Sequence, residues 1–177
     1  GFLYEEGLDV HMSTVPTGRT SVEALKDGAV DVVQSGISRS LMDLDQGNED
    51  APLHIAEINQ RDGFFLVGRR PTDGWRWADL EGARVIPVGF TPVPWMSLRS
   101  ALIRQGVALD RVTLVEASTA EESIDLFRRG QADYVHLPNP HAQRLIEDGH
   151  GYLATAVGPV LGYLCYSSFA VSPSYLA

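Results

Sequence analysis

The loop at residues 16–21 joins a predicted strand to a predicted helix, and its residues suit the binding of an oxygen-bearing ligand. Gly18 lets the backbone approach a ligand closely, and the helix that follows presents free amide groups to an anion or a carbonyl oxygen. Arg19 adds a guanidinium for bidentate capture of a carboxylate or sulfonate, and Thr20 adds a hydroxyl. An ordinary capped loop with a surface ion pair is the alternative for the same residues.

A second loop of this kind contains Gln34, Ser35 and Gly36. Gln34 and Ser35 offer neutral hydrogen bonds to a ligand, and the glycine precedes a predicted helix. Residues 36–40 are similar to the G-x-S-x-G motif that contains a nucleophilic serine, but Ser40 occupies the position of the second glycine. We therefore predict ligand binding here rather than serine hydrolysis, and we assign no catalytic residue.

A proline-rich loop bears on the shape of the ligand. Pro92 and Pro94 lack an N–H group, so this loop has lost two donors for an anion. Phe90 and Trp95 add ring surface that stacks on planar ligands, and Thr91 adds a hydroxyl. The loop favours a flat or partly apolar ligand. Packing of Trp95 into the core as part of the first helical turn is the alternative.

His136 and Asn139 lie where a predicted strand gives way to a predicted helix. His136 ends the strand and is a candidate hydrogen-bond donor to a ligand, whereas Asn139 followed by Pro140 is typical of the beginning of a helix. His136 and His141 do not have the i, i+4 spacing of a helical zinc site, and no carboxylate lies between them. The sequence predicts no metal and no cofactor.

Asn59 and Arg61 lie at the start of a predicted crossover segment. Arg61 is the arginine best placed to pair with a ligand carboxylate or sulfonate, and a surface ion pair is its alternative. The lone Cys165 excludes an internal disulfide, and a buried cysteine of this kind usually acts as a small apolar side chain.

The composition narrows the class of protein. The 177 residues contain 14 Lys and Arg against 23 Asp and Glu, a formal net charge of −9, and 44% are hydrophobic. An acidic chain without a basic run has no general attraction for a nucleic-acid backbone. No apolar stretch approaches the about 20 residues that cross a bilayer. The sequence therefore predicts no nucleic-acid partner and no transmembrane helix.

An α/β framework must position these loops. Short runs rich in Val and Ile alternate with segments of helical period, which is typical of a domain with a mainly parallel sheet. Thr20 has a glutamate at capping-box spacing, and so do both Ser118 and Thr119 at the start of a later helix. The predicted strands are residues 8–12, 30–34, 53–58, 64–67, 84–88, 112–115, 134–137, 152–154 and 163–170, and further helices are predicted at 20–26, 38–44, 95–105 and 139–146.

An internal repeat organises the chain. Residues 23–34 and 125–136 share one pattern: a helix, a glycine, and an aspartate that leads into a buried strand. The glycines occupy positions where a left-handed residue ends a helix. Asp31 and Asp133 lie at the amino ends of their strands, which favours a structural role because ligands bind beyond the carboxyl ends. Two copies of one unit predict two similar lobes.

Residues 5–10, the repeated helix-glycine-aspartate-strand unit and residues 78–85 together resemble a known family. They are similar to the solute-binding proteins of ABC importers, in particular the nitrate, sulfonate, taurine and thiamine-precursor group, called NMT1/THI5-like, with the type II periplasmic-binding fold. The resemblance implies two α/β lobes joined by crossing strands that close on a small molecule. It also implies an ABC permease as partner and a periplasmic or other extracytoplasmic location, at the membrane through the permease or a lipid anchor. We expect a monomer.

Under this resemblance, residues 1–61 and 163–177 form lobe one, residues 62–69 the crossover and residues 70–159 lobe two. Family members have a strand before the position of Gly1 and helices beyond that of Ala177, so we expect lobe one to lack its first strand and its C-terminal helices.

We therefore expect a non-enzymatic, extracytoplasmic solute-binding protein of an ABC importer that binds a small planar or anionic organic molecule in the interlobe cleft. The sulfonate, aromatic acid and pyrimidine classes all fit. Two alternatives stay open: an enzyme on the same scaffold, similar to thiamine pyrimidine-precursor synthases or desulfinases, and the ligand-sensing domain of a transcription regulator. The predicted ligand contacts are Gly18, Arg19, Thr20, Gln34, Ser35, Gly36, Asn59, Arg61, Phe90, Thr91, Trp95, His136 and Asn139.

Overall fold

The computed structural model describes residues 1–15, 19–89 and 92–176. The chain forms two compact units, which we call unit 1 (Gly1–Glu57 with Ser167–Ala177) and unit 2 (Ile58–Tyr166). The chain therefore leaves unit 1 after Glu57 and returns to it after Tyr166.

Helices and strands alternate along the chain, which confirms the predicted α/β class. The helices are α1 (Phe2–Glu5), α2 (Ser21–Lys26), α3 (Ile37–Asp45), α4 (Pro92–Arg104), α5 (Ala120–Arg128), α6 (His141–Glu147) and α7 (Gly158–Leu161). The strands are β1 (Val32–Ser35), β2 (Leu53–Asn59), β3 (Phe64–Gly68), β4 (Arg84–Ile86), β5 (Thr113–Leu114), β6 (Tyr134–Pro138), β7 (Tyr152–Ala156) and β8 (Ser167–Val171). Short 3₁₀ helices lie at Trp77–Leu80, Leu109–Arg111 and Pro173–Tyr175.

Unit 1 is built on a small sheet in which β8 lies between β1 and β2. β1 and β8 are antiparallel, and Ser35 at the end of β1 is paired with Ser168 near the start of β8. A small apolar core of Leu25, Val33 and Ala170 joins α2 to these two strands. The pairing therefore brings the carboxyl end of β1 and the amino end of β8 to one edge of the sheet.

Unit 2 contains a five-stranded sheet in the order β5-β4-β6-β3-β7. β4 runs parallel to β5 and β6, whereas β3 runs antiparallel to β6 and β7. The sheet is therefore mixed, where the sequence predicts a mainly parallel one. α4 and α5 link β4, β5 and β6 as parallel crossovers, and β3 runs opposite to both of its neighbours in this sheet.

The core of unit 2 lies on both faces of this sheet. Neighbouring residues of a strand point to opposite faces, and β3 shows the consequence. Leu66 belongs to an apolar cluster with Leu98 of α4, and Val67 belongs to another with Phe127 of α5 and Leu145 of α6. All five side chains are at most 1% exposed, and burying each contributes about 1.5–3 kcal/mol.

The predicted helix caps are present in both copies of the repeat. The Glu23 N–H donates to the Thr20 hydroxyl at 3.2 Å, and the Thr20 N–H donates to the Glu23 carboxylate at 2.7 Å. In the second copy the Glu122 N–H donates to the Thr119 hydroxyl at 3.1 Å. Thr119, rather than Ser118, is therefore the N-cap of α5.

The ends of α2 and α5 also follow the repeat. Gly28 and Gly130 have φ of +67° and +81°, the left-handed conformation that only glycine adopts cheaply. Asp133 accepts the Arg84 backbone N–H at 2.9 Å and pairs with its guanidinium at 3.2 Å. Asp133 thus has the structural role that the sequence favours.

Several predicted elements differ from the structure. Residues 8–12 do not form a strand, because an apolar alternation needs a neighbouring strand and neither described sheet offers one. The predicted strand at 163–170 is shorter and begins at Ser167. The helix predicted from Asn139 begins at His141 with Pro140 as N-cap, so Asn139 is not the cap.

The backbone at the start of α7 packs closely against the backbone of Asp62. A Cβ on Gly158 would lie 2.4 Å from the Asp62 carbonyl oxygen, so Gly158→Ala forces the backbone to shift. We expect this change to lower the free energy of unfolding by about 1–3 kcal/mol, measured by urea denaturation. The matched control is Gly63→Ala, because a Cβ on Gly63 meets no atom within 4 Å. Equal stability of the two variants would contradict the prediction.

Candidate functional site

In unit 1, the predicted loop of Gln34, Ser35 and Gly36 lies at the carboxyl end of β1. Ser35 is 6% exposed, and its hydroxyl has no hydrogen-bond partner among the described residues. Gly36 is the N-cap of α3 and provides no side-chain cap, so the first amides of that helix lack a side-chain acceptor. Gln34 is exposed on the face of the strand opposite to Ser35. An oxygen-bearing ligand would complete the hydrogen bonding of this corner.

A hydrogen-bonded set of side chains outside the predicted ligand contacts lies in the same unit. His54 of β2 has its Nε2 2.8 Å from the Ser40 hydroxyl and its Nδ1 2.5 Å from the Ser168 hydroxyl. Burial lowers the pKa of His54, and a neutral imidazole has one donor and one acceptor nitrogen. One serine therefore donates to His54 and the other accepts. Ser167, the neighbour of Ser168, is also buried, and within the described chain its hydroxyl has no partner.

The first predicted loop is engaged in local contacts. Arg19 forms an ion pair with Asp27 of the same unit. The Thr20 hydroxyl accepts the Glu23 N–H as part of the helix cap. These contacts match the capped loop and surface ion pair that the sequence left as the alternative. Gly18, Phe90 and Thr91, which were also predicted as ligand contacts, lie outside the described residues.

In unit 2, a polar group lies where the amino end of β3 meets the carboxyl end of β6. Asp62, Phe64, Ser97, His136 and Tyr166 form this group, which we call the Asp62 cluster. The Phe64 N–H donates to Asp62 Oδ1 at 2.7 Å, and Ser97 forms a hydrogen bond with the same carboxylate. The centroid of the Phe64 ring lies 5.1 Å from that of His136 and 6.1 Å from that of Tyr166. The Phe64 ring thus lies near His136 and Tyr166, and the backbone N–H of the same residue binds Asp62.

Several polar atoms of the Asp62 cluster have no partner. In the described part of the chain, Asp62 Oδ2, the Tyr166 hydroxyl and both ring nitrogens of His136 make no hydrogen bond. His136 is 0% exposed and Asp62 is 6% exposed. Because a buried polar atom without a partner costs about 1–3 kcal/mol, such a concentration is expected at a site that a ligand or ordered water completes.

Burial sets the protonation of this cluster. It lowers the pKa of His136 to about 3, so the imidazole is neutral at pH 7. It raises the pKa of Asp62, and the hydrogen bonds from Phe64 and Ser97 oppose this rise. Burial, followed by the nearby charge of Asp62, raises the pKa of the Tyr166 hydroxyl. The cluster therefore offers a neutral imidazole and a phenol that keeps its proton.

The other predicted contacts of unit 2 are dispersed. Asn59 and Arg61 are exposed, and the Asn59 carbonyl accepts the Tyr166 N–H at 2.9 Å. Trp95 packs against the apolar core around Leu98, which is the alternative that the sequence left open. Asn139 is exposed at the end of β6. Of the predicted contacts described in unit 2, only His136 belongs to the Asp62 cluster.

Asp62 and Tyr166 are not among the predicted ligand contacts, for different reasons. Asp62 directly precedes a buried apolar strand, and a carboxylate in that position is a signal that could have been used. Tyr166 lies in a segment that pairs with residues 59–60. The Leu164 N–H donates to the Gln60 carbonyl, and the Tyr166 N–H donates to the Asn59 carbonyl. That pairing depends on the fold, so no local pattern predicts it.

The described residues contain no group of three or more His, Cys, Asp or Glu side chains that could hold a metal ion. None of the helices in the described ranges is long and apolar enough to span a bilayer.

Sequence comparison places the chain in a family. The family model described as NMT1/THI5 like matches residues 1–156. The chain belongs to the NMT1/THI5-like family. A curated relative of this NMT1/THI5-like chain is YtlA of Bacillus subtilis (strain 168), which is named as a binding protein. The two are 27% identical over 177 residues, which is 99% of this chain and 53% of YtlA.

Solved structures share the fold of this NMT1/THI5-like chain. The periplasmic aliphatic sulphonate binding protein SsuA from Escherichia coli has a TM-score of 0.71 at 17% identity, over 86% of this chain and 51% of that one. The alkanesulfonate-binding protein SsuA from Xanthomonas axonopodis pv. citri, bound to MOPS, has a TM-score of 0.63 at 24% identity, over 87% and 52%. The chain therefore spans about half the length of the relatives that it matches.

The buried imidazole of His136 predicts acid sensitivity. The folded pKa of about 3 lies below the ordinary 6.5, so between these values the unfolded chain binds a proton that the folded chain does not. The contribution of His136 to stability is complete above pH 6.5 and falls with pH by at most about 1.4 kcal/mol per pH unit. We expect His136→Leu to flatten the dependence of the free energy of unfolding on pH between 7 and 4.5, measured by urea denaturation.

The control for this prediction is His150→Leu, because His150 is exposed. His54, whose pKa burial also lowers, remains in both variants and gives each the same residual slope. A His136→Leu slope equal to that of His150→Leu would show that His136 is not the acid-sensitive group.

Proposed function

We propose that this chain is part of an extracytoplasmic solute-binding protein of an ABC importer, and that it binds a small planar or anionic organic molecule of the sulfonate, aromatic acid or pyrimidine class. Membership of the NMT1/THI5-like family supports this proposal, and so does the fold shared with two sulfonate-binding proteins. The remainder of the importer is the partner of such a protein, and the membrane location follows from the permease or a lipid anchor. We propose a monomer.

The observation that carries the proposal is the set of buried polar atoms without partners at strand ends. Among the described residues, these are the hydroxyls of Ser35 and Ser167 in unit 1, and in unit 2 they belong to Asp62, His136 and Tyr166. Protein interiors rarely leave such atoms unsatisfied. These atoms have already lost their contacts with water on folding. A bound solute that supplies the missing partners would therefore form hydrogen bonds without a further cost of removing water from the protein atoms.

Binding without catalysis fits the chemistry of these residues better than hydrolysis does. A serine nucleophile needs a base and an accessible hydroxyl. His54 contacts two serine hydroxyls, but Ser40 and Ser168 are 3% and 1% exposed. We therefore assign the chain of Ser40, His54 and Ser168 to holding α3 and β8 against β2.

A thermal-shift screen tests the proposed function. Ethanesulfonate, benzoate and 4-aminopyrimidine represent the three ligand classes. At a concentration 100-fold above its dissociation constant, a ligand adds about 2.7 kcal/mol of stability, which raises the Tm of a chain of this size by roughly 5–10 °C. Conversion of a probe to a product, with no probe raising the Tm, would contradict the proposal.

A substitution at Ser35 tests whether its hydroxyl contacts the bound probe. For whichever probe binds, we expect Ser35→Ala to weaken binding about 10-fold, since the loss of one hydrogen bond to a ligand costs about 1.4 kcal/mol. Ser100→Ala is the matched variant, because Ser100 is exposed on α4, and it should bind the probe as the unmodified chain does. Isothermal titration calorimetry measures both. Unchanged affinity in Ser35→Ala would show that the Ser35 hydroxyl does not contact the bound probe.

A further inference from the structure

The chain enters and leaves unit 2 through two short segments that are hydrogen-bonded to each other. We call residues 59–63 the entry segment and residues 158–166 the return segment. The N–H groups of Leu164 and Tyr166 donate to carbonyls of the entry segment at 3.0 and 2.9 Å. These two backbone hydrogen bonds join the segments into one pair.

Little apolar burial holds this pair in place. Residues 159–166 are all partly or fully exposed, and in the entry segment Asp62 is buried while its neighbours are exposed. A segment with few buried apolar contacts and exposed backbone hydrogen bonds opens at a lower free-energy cost than the core does. The position of the pair therefore depends on a small number of polar contacts with the rest of unit 2.

α4 supplies a polar contact to each segment. The buried Ser97 hydroxyl donates to the Asp62 carboxylate of the entry segment. The Arg104 guanidinium donates to the carbonyls of Val160 and Leu161 in the return segment, at 3.3 and 2.8 Å. Ser97 and Arg104 are about two helical turns apart along α4, so they lie on one face of that helix. One helix face thus contacts both segments.

α7 connects these two contacts. Its first residue, Gly158, lies so close to the Asp62 carbonyl that a Cβ would be 2.4 Å from that oxygen. The Val157 N–H ahead of it donates to the Phe64 carbonyl at 3.0 Å. Arg104 binds carbonyls at the other end of the same one-turn helix. A shift of α7 would therefore disturb the entry segment as well as the return segment.

We propose that α4 is a latch for the paired segments, in which Ser97 holds the entry segment and Arg104 holds the return segment, and that loss of either contact releases both segments in one local opening. The sheet of unit 2 stays folded in the opened state. The latch is a property of the free chain and goes beyond the proposed function. Asn59 and Arg61, two of the predicted ligand contacts, belong to the entry segment, so the latch also sets how firmly they are held.

Hydrogen exchange in the full 177-residue chain, followed by ¹H–¹⁵N NMR, tests the latch. Arg104→Met removes the donors to α7 and keeps an apolar side chain. We expect exchange of the Leu164 and Tyr166 amides to become about 10-fold faster, because the local opening that exposes them becomes more populated. A similar acceleration is expected at the Phe64 amide, which donates to Asp62 in the entry segment.

Ser97→Ala is the reciprocal substitution, because it removes the contact of α4 with the entry segment. We expect it to accelerate exchange in the return segment as well, by about 10-fold at the Gly162 amide, which donates to the Gly158 carbonyl at 3.0 Å. The control is Arg99→Met, because Arg99 is exposed on α4. It should leave all of these exchange rates within 2-fold of those of the unmodified chain.

The amides of β6 distinguish local opening from a general loss of stability. β6 is the central strand of the five-stranded sheet, so its slowest amides exchange through global unfolding. We expect their rates to change less than 3-fold in Arg104→Met. An equal acceleration at β6 and at the two segments would mean that this variant is destabilised as a whole, and would overturn the latch.

Purely local effects would overturn it too. In that case Arg104→Met would accelerate only the amides of α7, and Ser97→Ala would leave the Gly162 amide unchanged, which would mean that the two contacts act independently. Unchanged exchange throughout Arg104→Met would show that the exposed guanidinium does not hold the return segment. The thermal-shift screen with ethanesulfonate, benzoate and 4-aminopyrimidine decides the proposed function separately, whichever of these results is obtained.

Discussion

The position of β3 between β6 and β7 is the constraint on which unit 2 depends. Both neighbours are antiparallel to β3, which pairs with β6 through residues 64–68 and with β7 through residues 65–68. Opposite side chains of β3 enter the two apolar clusters, which ties α4 on one face to α5 and α6 on the other. The same register sets Phe64 opposite Pro138 and Leu66 opposite His136. The pairing that builds the core therefore also places the aromatic and polar residues of the Asp62 cluster.

The helix termini and the repeat were predictable because their signals are local. Thr20 and Glu23 are three residues apart, and the glycine after each helix needs only its own backbone conformation. The structural role of Asp133 follows in the same way from its place ahead of β6. By contrast, residues 8–12 show that apolar alternation predicts a strand only where a partner strand is present.

The candidate sites were predictable only in part, because their contacts join distant segments. Ser35 and His136 follow from a rule about strand ends, and both are buried with unpartnered polar atoms. His54 and Ser168 are 114 residues apart in sequence, so no spacing indicates their contact. Asp62 and Tyr166 are brought together by the pairing of residues 59–60 with residues 164–166. Long-range pairing of this kind depends on the fold, so a short stretch of sequence contains no pattern that predicts it.

A shared fold does not determine which solute a chain binds, because function depends on the side chains placed on that fold. The backbone of this chain matches proteins that are only 17% and 24% identical to it, so most side chains at corresponding strand ends differ. Within this chain the two units differ in the same respect: the strand end at Ser35 offers a hydroxyl and a helix start without a side-chain cap, whereas the one at His136 offers a buried imidazole that contacts the Phe64 ring. The side chains placed at each strand end, rather than the shared backbone, therefore decide which groups of a solute each unit can hold.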